Sequence, residues 1–296
     1  MDHPCTLGVD IGGTNVRLGV LTPEGELAAL EKVPRAEALP DTAPEALADF
    51  LRDYIRRCGY PVAALGVGIP GTLSRDCRRI LRVPNIPVMD GMAIAEVLEA
   101  RLQLPVFPEN DTVMLMRGDL RRLGLPSRGV LLGVYIGTGL GSALYYDAKP
   151  LKGRNSLNEI GHLPLFGHTE RCSCGNIGCA ENIISGRHLQ DLRREKWPDT
   201  HISDIFAAMA GSDELREFID AIGVVLGGAV NLLDPEALVL GGGVTAMKDF
   251  PRAEVEAAVR SRAMKPEPAE SLCILWSQGA DDTGVLGAAV FAAERV

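Results

Sequence analysis

The chain has 296 residues, and its 46% hydrophobic and 23% charged content is typical of a soluble globular protein with one or two domains. A formal net charge of −9 argues against a nucleic-acid partner, because such a protein needs a basic surface to neutralise phosphates. No apolar run approaches the roughly 18 residues of a transmembrane helix, and no basic signal-peptide region is visible, so we expect a cytoplasmic protein without a membrane partner. The seven cysteines, an odd number, fit reduced thiols better than a disulfide framework.

The first motif is a glycine turn between two strands predicted at 6–10 and 16–21. Two adjacent glycines leave room for a phosphate, and their N–H groups can bind its oxygens. Asp10 is suited to hold magnesium through water, whereas Thr14 and Arg17 add a hydroxyl donor and a charge. A plain glycine hairpin would have the same pattern. The candidate nucleotide-binding residues of this turn are Asp10, Gly12, Gly13, Thr14, Asn15 and Arg17.

The next segment contains two candidate polar ligands. Asn85 is flanked by Pro84 and Pro87, which restrict the loop and suit a hydrogen bond to a ligand, although an ordinary turn asparagine fits equally well. Asp111 stands at a strand-to-helix junction, where it is either a helix cap or a general base at the carboxyl end of a strand. The predicted elements of this segment are strands at 27–33 and 63–69 and helices at 44–58 and 91–104.

A second glycine turn follows an apolar strand at 130–136 and precedes another strand that runs to 146. Its layout repeats that of the first turn, so we predict a weak internal repeat in which the two turns hold both ends of a triphosphate. The polar, breaker-rich segment 118–128 is the predicted boundary between the halves. The candidate residues of the second turn are Gly137, Thr138 and Gly139.

The segment 158–182 concentrates residues that ligate metals. Cys172, Cys174 and Cys179 fall within eight positions, and three thiolates with one imidazole are the ligand set of a tetrahedral structural zinc site. His162 and His168 compete as the fourth ligand, and spacing alone does not decide between them. Scattered core cysteines are one alternative, and a disulfide between Cys174 and Cys179 is another that a reducing compartment disfavours.

Alternating helices and strands are predicted for the remainder of the chain. Gly241, Gly242 and Gly243 follow one of these strands, where they either let a flat ligand such as adenine lie against backbone or form a tight turn. The predicted elements are helices at 185–197, 202–210, 213–233, 253–264 and 282–293 and strands at 237–240 and 272–276.

Six motifs together resemble the ROK family of sugar kinases, over nearly the whole chain. Within that family, HLPL at 162–165 and VPNIPV at 83–88 are similar to bacterial D-allose kinases. Two features differ from common family patterns: Val88 stands where many glucose-specific relatives carry tryptophan, and Leu157-Asn158 replaces the usual small residues before Glu159. The six motifs are DIGGT at 10–14, END at 109–111, IGTGLG at 136–141, EIGH at 159–162, CSCGNIGCAE at 172–181 and LGGG at 240–243.

The resemblance implies an α/β, two-lobed actin-like fold with ATP and a hexose bound in the cleft between the lobes. The N-terminal lobe would span 1–118, with a closing helix at 282–296 packed back on it. The C-terminal lobe would span 119–281 and carry a zinc-binding insert at 162–179. The family also implies a homodimer.

The resemblance further implies a role for each candidate residue. Asp111 would be the general base that takes the proton from the sugar hydroxyl. ATP and Mg²⁺ would bind at the two glycine turns and at 241–243, and structural Zn²⁺ would be held by His162 with the three cysteines. The sugar would be bound by Asn85, Asn110, Asp111, Glu159, His162, Glu181 and Gly71.

These inferences favour an ATP-dependent kinase that acts on the 6-hydroxyl of D-allose, with glucose, fructose and N-acetylmannosamine as alternative substrates. A sugar-responsive repressor of the same family is disfavoured, because only five residues precede Thr6 and the chain is acidic. A catalytically silent sugar sensor is disfavoured by the presence of Asp111 together with both glycine turns.

Overall fold

Each glycine turn joins two apolar strands, and each of the resulting hairpins belongs to its own sheet. The computed structural model describes residues 4–41, 45–126, 128–154, 158–279 and 281–296. The chain divides into two units. Unit 1 comprises Met1–Leu125, Lys152–Ser156 and Asp281–Val296, and unit 2 comprises Pro126–Leu151 and Leu157–Ala280.

Unit 1 is an α/β unit. Its elements are β1 (Cys5–Ile11), β2 (Asn15–Leu21), β3 (Leu27–Pro34), α1 (Arg35–Ala38), α2 (Ala46–Arg57), β4 (Val62–Ile69), β5 (Thr72–Leu73), β6 (Ile80–Arg82), a 3₁₀ turn (Pro87–Met89), α3 (Ile94–Leu102), β7 (Val106–Asn110), α4 (Asp111–Arg122) and α9 (Thr283–Ala293). The sheet order is β3-β2-β1-β4-β7, in which β1 pairs antiparallel with β2 and parallel with β4. β5 and β6 form a separate antiparallel hairpin.

Helix α9 lies so close to the unit 1 sheet that two strand positions have no room for a side chain. A Cβ added at Gly8 would lie 2.0 Å from Val285 O, and one added at Gly66 would lie 1.9 Å from Ala288 O. The buried Thr6 hydroxyl donates a hydrogen bond to Ala289 O at 2.8 Å. The glycine- and alanine-rich sequence of α9 is therefore explained by close packing, because small residues let helix and sheet backbones approach.

Unit 2 is also an α/β unit. Its elements are β8 (Val130–Ile136), β9 (Leu140–Tyr146), β10 (Lys149–Pro150), 3₁₀ turns (Ile160–His162, Ala180–Asn182 and Ile202–Asp204), α5 (Gly186–Lys196), α6 (Ile205–Ala208), α7 (Asp213–Leu233), β11 (Ala237–Gly241), α8 (Arg252–Arg262) and β12 (Ile274–Trp276). The sheet order is β10-β9-β8-β11-β12. β8 pairs antiparallel with β9 and parallel with β11, which in turn is parallel with β12.

The two sheets share one arrangement. In each, an antiparallel hairpin with a glycine turn occupies the centre and one side, and parallel strands continue on the other side. The internal repeat predicted from the two turns is confirmed at this level. Helix α4 runs without interruption from Asp111 to Arg122, and the first division between the units follows it at Leu125, inside the predicted boundary segment 118–128.

Smaller differences from the predicted elements concern short, weakly periodic segments. The helix predicted at 202–210 is a 3₁₀ turn followed by the four-residue α6, and the segment after residue 70 contains the unpredicted hairpin of β5 and β6. Within the described residues, no helix combines the length and the apolar character that crossing a membrane requires.

Candidate active site

The first glycine turn is closed by the Gly12 N–H, which donates to Asn15 O at 2.8 Å. Gly13 and Thr14 are exposed at its tip. From outside the turn, Arg35 donates from Nε to Gly13 O at 3.0 Å and from its backbone N–H to Thr14 O at 2.8 Å. These bonds use the carbonyl groups of the turn, so its shape is fixed without a side chain at the two glycines.

Asp10 lies at the end of β1 opposite Arg17, whose Nη1 is 3.6 Å from Asp10 Oδ2. Arg17 also donates from Nη2 to Asp281 Oδ1 at 2.9 Å, and Lys32 donates to Asp281 Oδ2 at 3.0 Å. Burial raises the pKa of Asp10 above its ordinary value, although the nearby charge of Arg17 counteracts this in part. Asp281 was not predicted as a site residue, because no local motif marks a partner 264 positions from Arg17.

Asn110 and Asp111 stand where β7 ends and α4 begins. Asn110 Oδ1 accepts a hydrogen bond from the Thr112 N–H at 3.0 Å, and Asn110 Nδ2 donates to Gly71 O at 3.1 Å. The side-chain cap of α4 is therefore Asn110, and Asp111 is the first helical residue. This arrangement gives the predicted capping role to Asn110, whereas the sequence pattern pointed to Asp111.

The folding of unit 1 brings its candidate residues to one edge of the sheet. A Cβ added at Gly68 would lie 3.6 Å both from Asp10 Oδ1 and from Asp111 Cα, so both aspartates border the same face of Gly68. A Cβ added at Gly13 would lie 3.8 Å from Asn85 Cβ. The carboxyl ends of parallel strands meet at the same edge of a sheet, which is why these residues converge.

The second glycine turn is tied to the residues that follow it. The Gly137 N–H donates to Gly139 O at 2.9 Å, and the Leu140 N–H donates to Glu181 Oε2 at 2.9 Å. A Cβ at Gly139 would lie only 2.2 Å from Glu181 Oε2, so this position requires glycine while the carboxylate is in place. The Gly186 N–H, at the start of α5, donates to Gly137 O at 2.8 Å. Thr138 is exposed at the tip.

Gly241 ends β11, and Gly242 and Gly243 follow it. They lie beside the second turn, because β11 and β8 are parallel neighbours. Gly242 has a φ of +95°, and a Cβ there would lie 2.4 Å from Ile136 O. A Cβ at Gly241 would lie 2.8 Å from the Tyr135 ring. No atom of the described residues lies within 4 Å of a Cβ added at Gly243, so the backbone at this point has room for a ligand.

The segment that contains Glu159 packs on β9, since a Cβ at Gly161 would lie 2.4 Å from Leu140 O. Glu159 is exposed, and His162 is half-buried. Asn158 has a left-handed backbone with φ of +65°, a conformation in which asparagine is well tolerated. Leu157, which was predicted to shape the sugar pocket together with Asn158, lies outside the described residues.

The predicted metal ligands form one cluster in unit 2. The ligand atoms of His162, Cys172, Cys174 and Cys179 all lie within 4.8 Å of one another. Cys174 Sγ is 3.7 Å from Cys179 Sγ, and Cys172 Sγ is 3.7 Å from His162 Nδ1. His168 instead lies 3.8 Å from Glu170, so the fold groups His162 with the cysteines.

These distances fit a tetrahedral zinc ion. Zn–S and Zn–N bonds of about 2.3 and 2.0 Å in tetrahedral geometry separate two sulfurs by about 3.8 Å and a sulfur from a nitrogen by about 3.6 Å. The Cys174–Cys179 distance of 3.7 Å is much longer than the disulfide bond of about 2.0 Å. Burial raises the pKa of Cys172, but hydrogen bonds from Cys174 and Cys179 outweigh this and lower it to about 7, which favours a thiolate.

Each unit thus groups its own candidate residues. Unit 1 brings together the first turn, Asn85, Asn110 and Asp111, and unit 2 brings together the second turn, 241–243, Glu159, His162 and Glu181. Unit 1 places the Asp10 and Asp111 carboxylates beside its glycine turn, whereas unit 2 places the Glu181 carboxylate at its own turn and carries the cysteine cluster.

Proteins named for a known activity are similar to this chain in sequence and in fold. N-acetyl-D-glucosamine kinase of Pectobacterium carotovorum is 32% identical over 259 residues, which are 80% of this chain and 83% of that protein. Glucokinase of Streptomyces coelicolor is 30% identical over 273 residues, 83% of this chain and 84% of that protein. The ROK family glucokinase of Streptomyces griseus, solved in complex with glucose and AMPPNP, is 28% identical with a TM-score of 0.82, covering 98% of this chain and 99% of that one.

The structural likeness confirms the predicted fold class, an α/β chain with the two-lobed actin-like fold. The sequence model of the ROK family matches residues 6–295, nearly the whole chain. With the two relatives of at least 30% identity, this match shows that the chain belongs to the ROK family.

Proposed function

We propose that this chain is an ATP-dependent sugar kinase that phosphorylates the 6-hydroxyl of a hexose or hexosamine. The observation that carries the proposal is the convergence of Asp111 and Asp10 at the carboxyl edge of the unit 1 sheet, next to a glycine turn with an open tip. A general base and an anion-binding turn on the same edge suit phosphoryl transfer. The relatives named as kinases support the same reaction.

In the proposed reaction, Asp111 accepts the proton of the sugar 6-hydroxyl as the hydroxyl oxygen bonds to the γ-phosphorus of ATP. The bond between that phosphorus and the β,γ-bridging oxygen breaks, and ADP leaves. The carboxyl edge of a strand holds Asp111 in position, so orientation costs little at the moment of reaction. Asn85, Asn110, Gly71, Glu159, His162 and Glu181 are the groups proposed to hydrogen-bond the sugar hydroxyls, which both donate and accept.

The nucleotide is proposed to bind through backbone groups and one carboxylate. Asp10 would hold Mg²⁺ through water, and the ion would neutralise charge on the phosphates. The N–H groups at the tips of the two turns, at 13–14 and 138–139, would bind phosphate oxygens, because the Gly12 and Gly137 N–H groups already donate within their own turns. Arg17 lies near the first turn. The open backbone at Gly243, beside Gly241 and Gly242, would receive the adenine ring.

We also propose that His162, Cys172, Cys174 and Cys179 hold a structural zinc ion. His162 closes the 3₁₀ turn that begins one residue after Glu159, and Cys179 immediately precedes the turn that contains Glu181. A metal that joins these two turns would fix both glutamates. Its role would be structural, because all four ligand positions are taken by protein atoms.

The sugar is best identified by direct assay. D-allose is favoured by the HLPL and VPNIPV motifs, whereas relatives named as glucokinase and N-acetyl-D-glucosamine kinase make those two sugars competing candidates. ADP release from Mg·ATP would be measured with allose, glucose, fructose, N-acetylmannosamine and N-acetylglucosamine. The highest kcat/KM for allose would support the narrower proposal, and preference for another sugar would retain the kinase but reject allose.

Absence of turnover with every sugar, in protein that contains zinc, would contradict the kinase and favour a sugar sensor. The homodimer predicted from the family is tested separately by sedimentation equilibrium. A single species at the mass of one chain, 31.6 kDa, would contradict it.

A further inference from the structure

Glu109 is the residue before Asn110 and Asp111, and its side chain is only 6% exposed. Burying a carboxylate to this extent costs free energy unless several hydrogen-bond donors or a cation surround it. It is the one residue of the END motif for which neither the sugar nor the nucleotide supplies a role. Its surroundings therefore indicate what it does.

Three donors from three segments of unit 1 surround Glu109. Lys152 Nζ lies 2.6 Å from Oε2, the Cys77 thiol lies 3.2 Å from Oε1, and the Asn110 N–H donates to Oε1 at 3.1 Å. Lys152 Nζ is also 2.9 Å from Cys77 Sγ, which closes a ring of contacts. Burial and the Glu109 charge raise the pKa of Cys77 to about 11, so this sulfur keeps its proton and can donate it.

Two of these segments lead directly to residues of the proposed sugar site. Cys77 lies in the turn of the β5–β6 hairpin, and the chain continues from β6 to Asn85. Asn110 is followed by Asp111. Lys152, the third donor, belongs to the same unit 1 and supplies the ammonium group.

We propose that Glu109 is a positioning residue, which with Lys152 and Cys77 holds in register three segments of unit 1, two of which carry proposed sugar-binding residues. The inference rests on the proposed function and adds to it a determinant of sugar affinity that touches neither substrate. The Glu109 carboxylate is buried, whereas the Lys152 side chain is 44% exposed, and an ion pair of this kind seldom adds net stability over apolar groups of the same volume. Its value here lies in geometry. Two hydrogen bonds and one ion pair fix the end of β7 more narrowly than apolar packing would.

The test uses Lys152→Met, which removes the ammonium but keeps an unbranched apolar stem. A cavity of about 210 Å³ bordered by Cys77, Phe107, Glu109 and Lys152 gives the new side chain room, so the variant is expected to fold. The matched control is Lys149→Met, an exposed lysine on β10. Lys152→Arg keeps the charge and should restore most of the activity.

We expect kcat/KM for the preferred sugar to fall about 10- to 100-fold in Lys152→Met, since small misplacements of reacting groups have effects of this size. KM for ATP and the zinc content should stay at wild-type values. Glu109→Gln should behave in the same way. Hydrogen exchange measured by mass spectrometry should be faster in peptides covering 72–86 and 106–112, and it should be unchanged in Lys149→Met.

Wild-type sugar kinetics and wild-type exchange in both Lys152→Met and Glu109→Gln would overturn the inference. Equal rises in KM for the sugar and for ATP, together with a loss of zinc, would also overturn it, because that pattern indicates general unfolding. Failure of the proposed function is a separate outcome, seen as no turnover by the wild-type protein. In that case the exchange data still decide whether Glu109 holds the three segments.

Discussion

The two units use the same sheet order to present different chemistry at their glycine turns. In unit 1 the turn after β1 is next to the charged side chains of Asp10 and Arg17, and Arg17 extends the charged group to Asp281. In unit 2 the turn after β8 has no ionisable side chain of its own, and the Leu140 N–H that follows it donates to the Glu181 carboxylate. A repeated fold thus places two loops equivalently, while the residues added around each loop determine its function.

This comparison suggests a division of work. In the proposed mechanism, unit 1 contributes the carboxylates that take part in phosphoryl transfer, so changes there should lower kcat. Unit 2 would contribute backbone donors and a metal-holding cluster that position ligands, so changes there should act first on KM and on local stability. Four substitutions separate these expectations.

Asp111→Asn should have the largest effect, a loss of about 10²–10⁴-fold in kcat with little change in sugar KM, because the amide cannot accept the hydroxyl proton. Steady-state kinetics with the preferred sugar would measure it. Asp53→Asn, an exposed carboxylate on α2, serves as the control and should retain wild-type kinetics. Near-normal kcat in Asp111→Asn would contradict the assignment of the base.

Asp10→Asn should lower kcat/KM for Mg·ATP by about 10- to 100-fold, the range observed when groups that support a metal are removed. The same substitution should raise Tm at neutral pH. The pKa of Asp10 is raised in the folded state, so the stability contributed by its protonated form is present at low pH and is lost as pH rises through that pKa. At pH 7 the buried charge is unfavourable, and asparagine removes it.

Calorimetry at pH 5 and pH 8 would test this second expectation, with a larger gain in Tm for Asp10→Asn at the higher pH. In the wild-type protein, kcat/KM for Mg·ATP should decrease as the pH is lowered. Because the pKa of Asp10 is raised, this decrease should begin at a higher pH than it would with an aspartate of ordinary pKa. A variant that loses both activity and stability would indicate that Arg17 stabilises Asp10 more than burial destabilises it.

Cys174→Ser should release zinc and raise sugar KM about tenfold, with a smaller change in kcat, because the cluster holds the turns next to Glu159 and Glu181. Metal content and kinetics would be measured on the same preparation. The exposed Cys273→Ser is the matched control and should keep its metal. Wild-type protein purified without zinc would contradict the metal assignment.

Gly139→Ala should have the smallest effect. The new methyl group would displace the Glu181 carboxylate and leave the Leu140 N–H without its acceptor, at a cost of about 1 kcal/mol and roughly 2–4 °C in Tm. Gly137→Ala in the same turn meets open space and should keep the wild-type Tm. Equal Tm values for the two variants would show that Glu181 does not constrain the turn.

Much of the site could be predicted because its motifs are local in sequence. Strand–glycine–strand patterns identified both turns, and three cysteines within eight positions identified the cluster. Spacing could not choose between His162 and His168, because both histidines are near enough along the chain. The structure distinguishes the two histidines, because the turn Ile160–His162 places His162 beside Cys172, whereas His168 lies beside Glu170.

By itself the sequence determined the apolar strands, the long helix α7, the two glycine turns and the three cysteines of the proposed metal site, because each depends on residues a few positions apart. Only the tertiary structure decided contacts between distant segments. The Thr6–Ala289 bond, the Arg17–Asp281 pair and the Glu109–Lys152 pair join residues that no local pattern connects. Such contacts arise when whole elements pack, since the energy that places α9 on β1 comes from burying complete faces and not from any single motif.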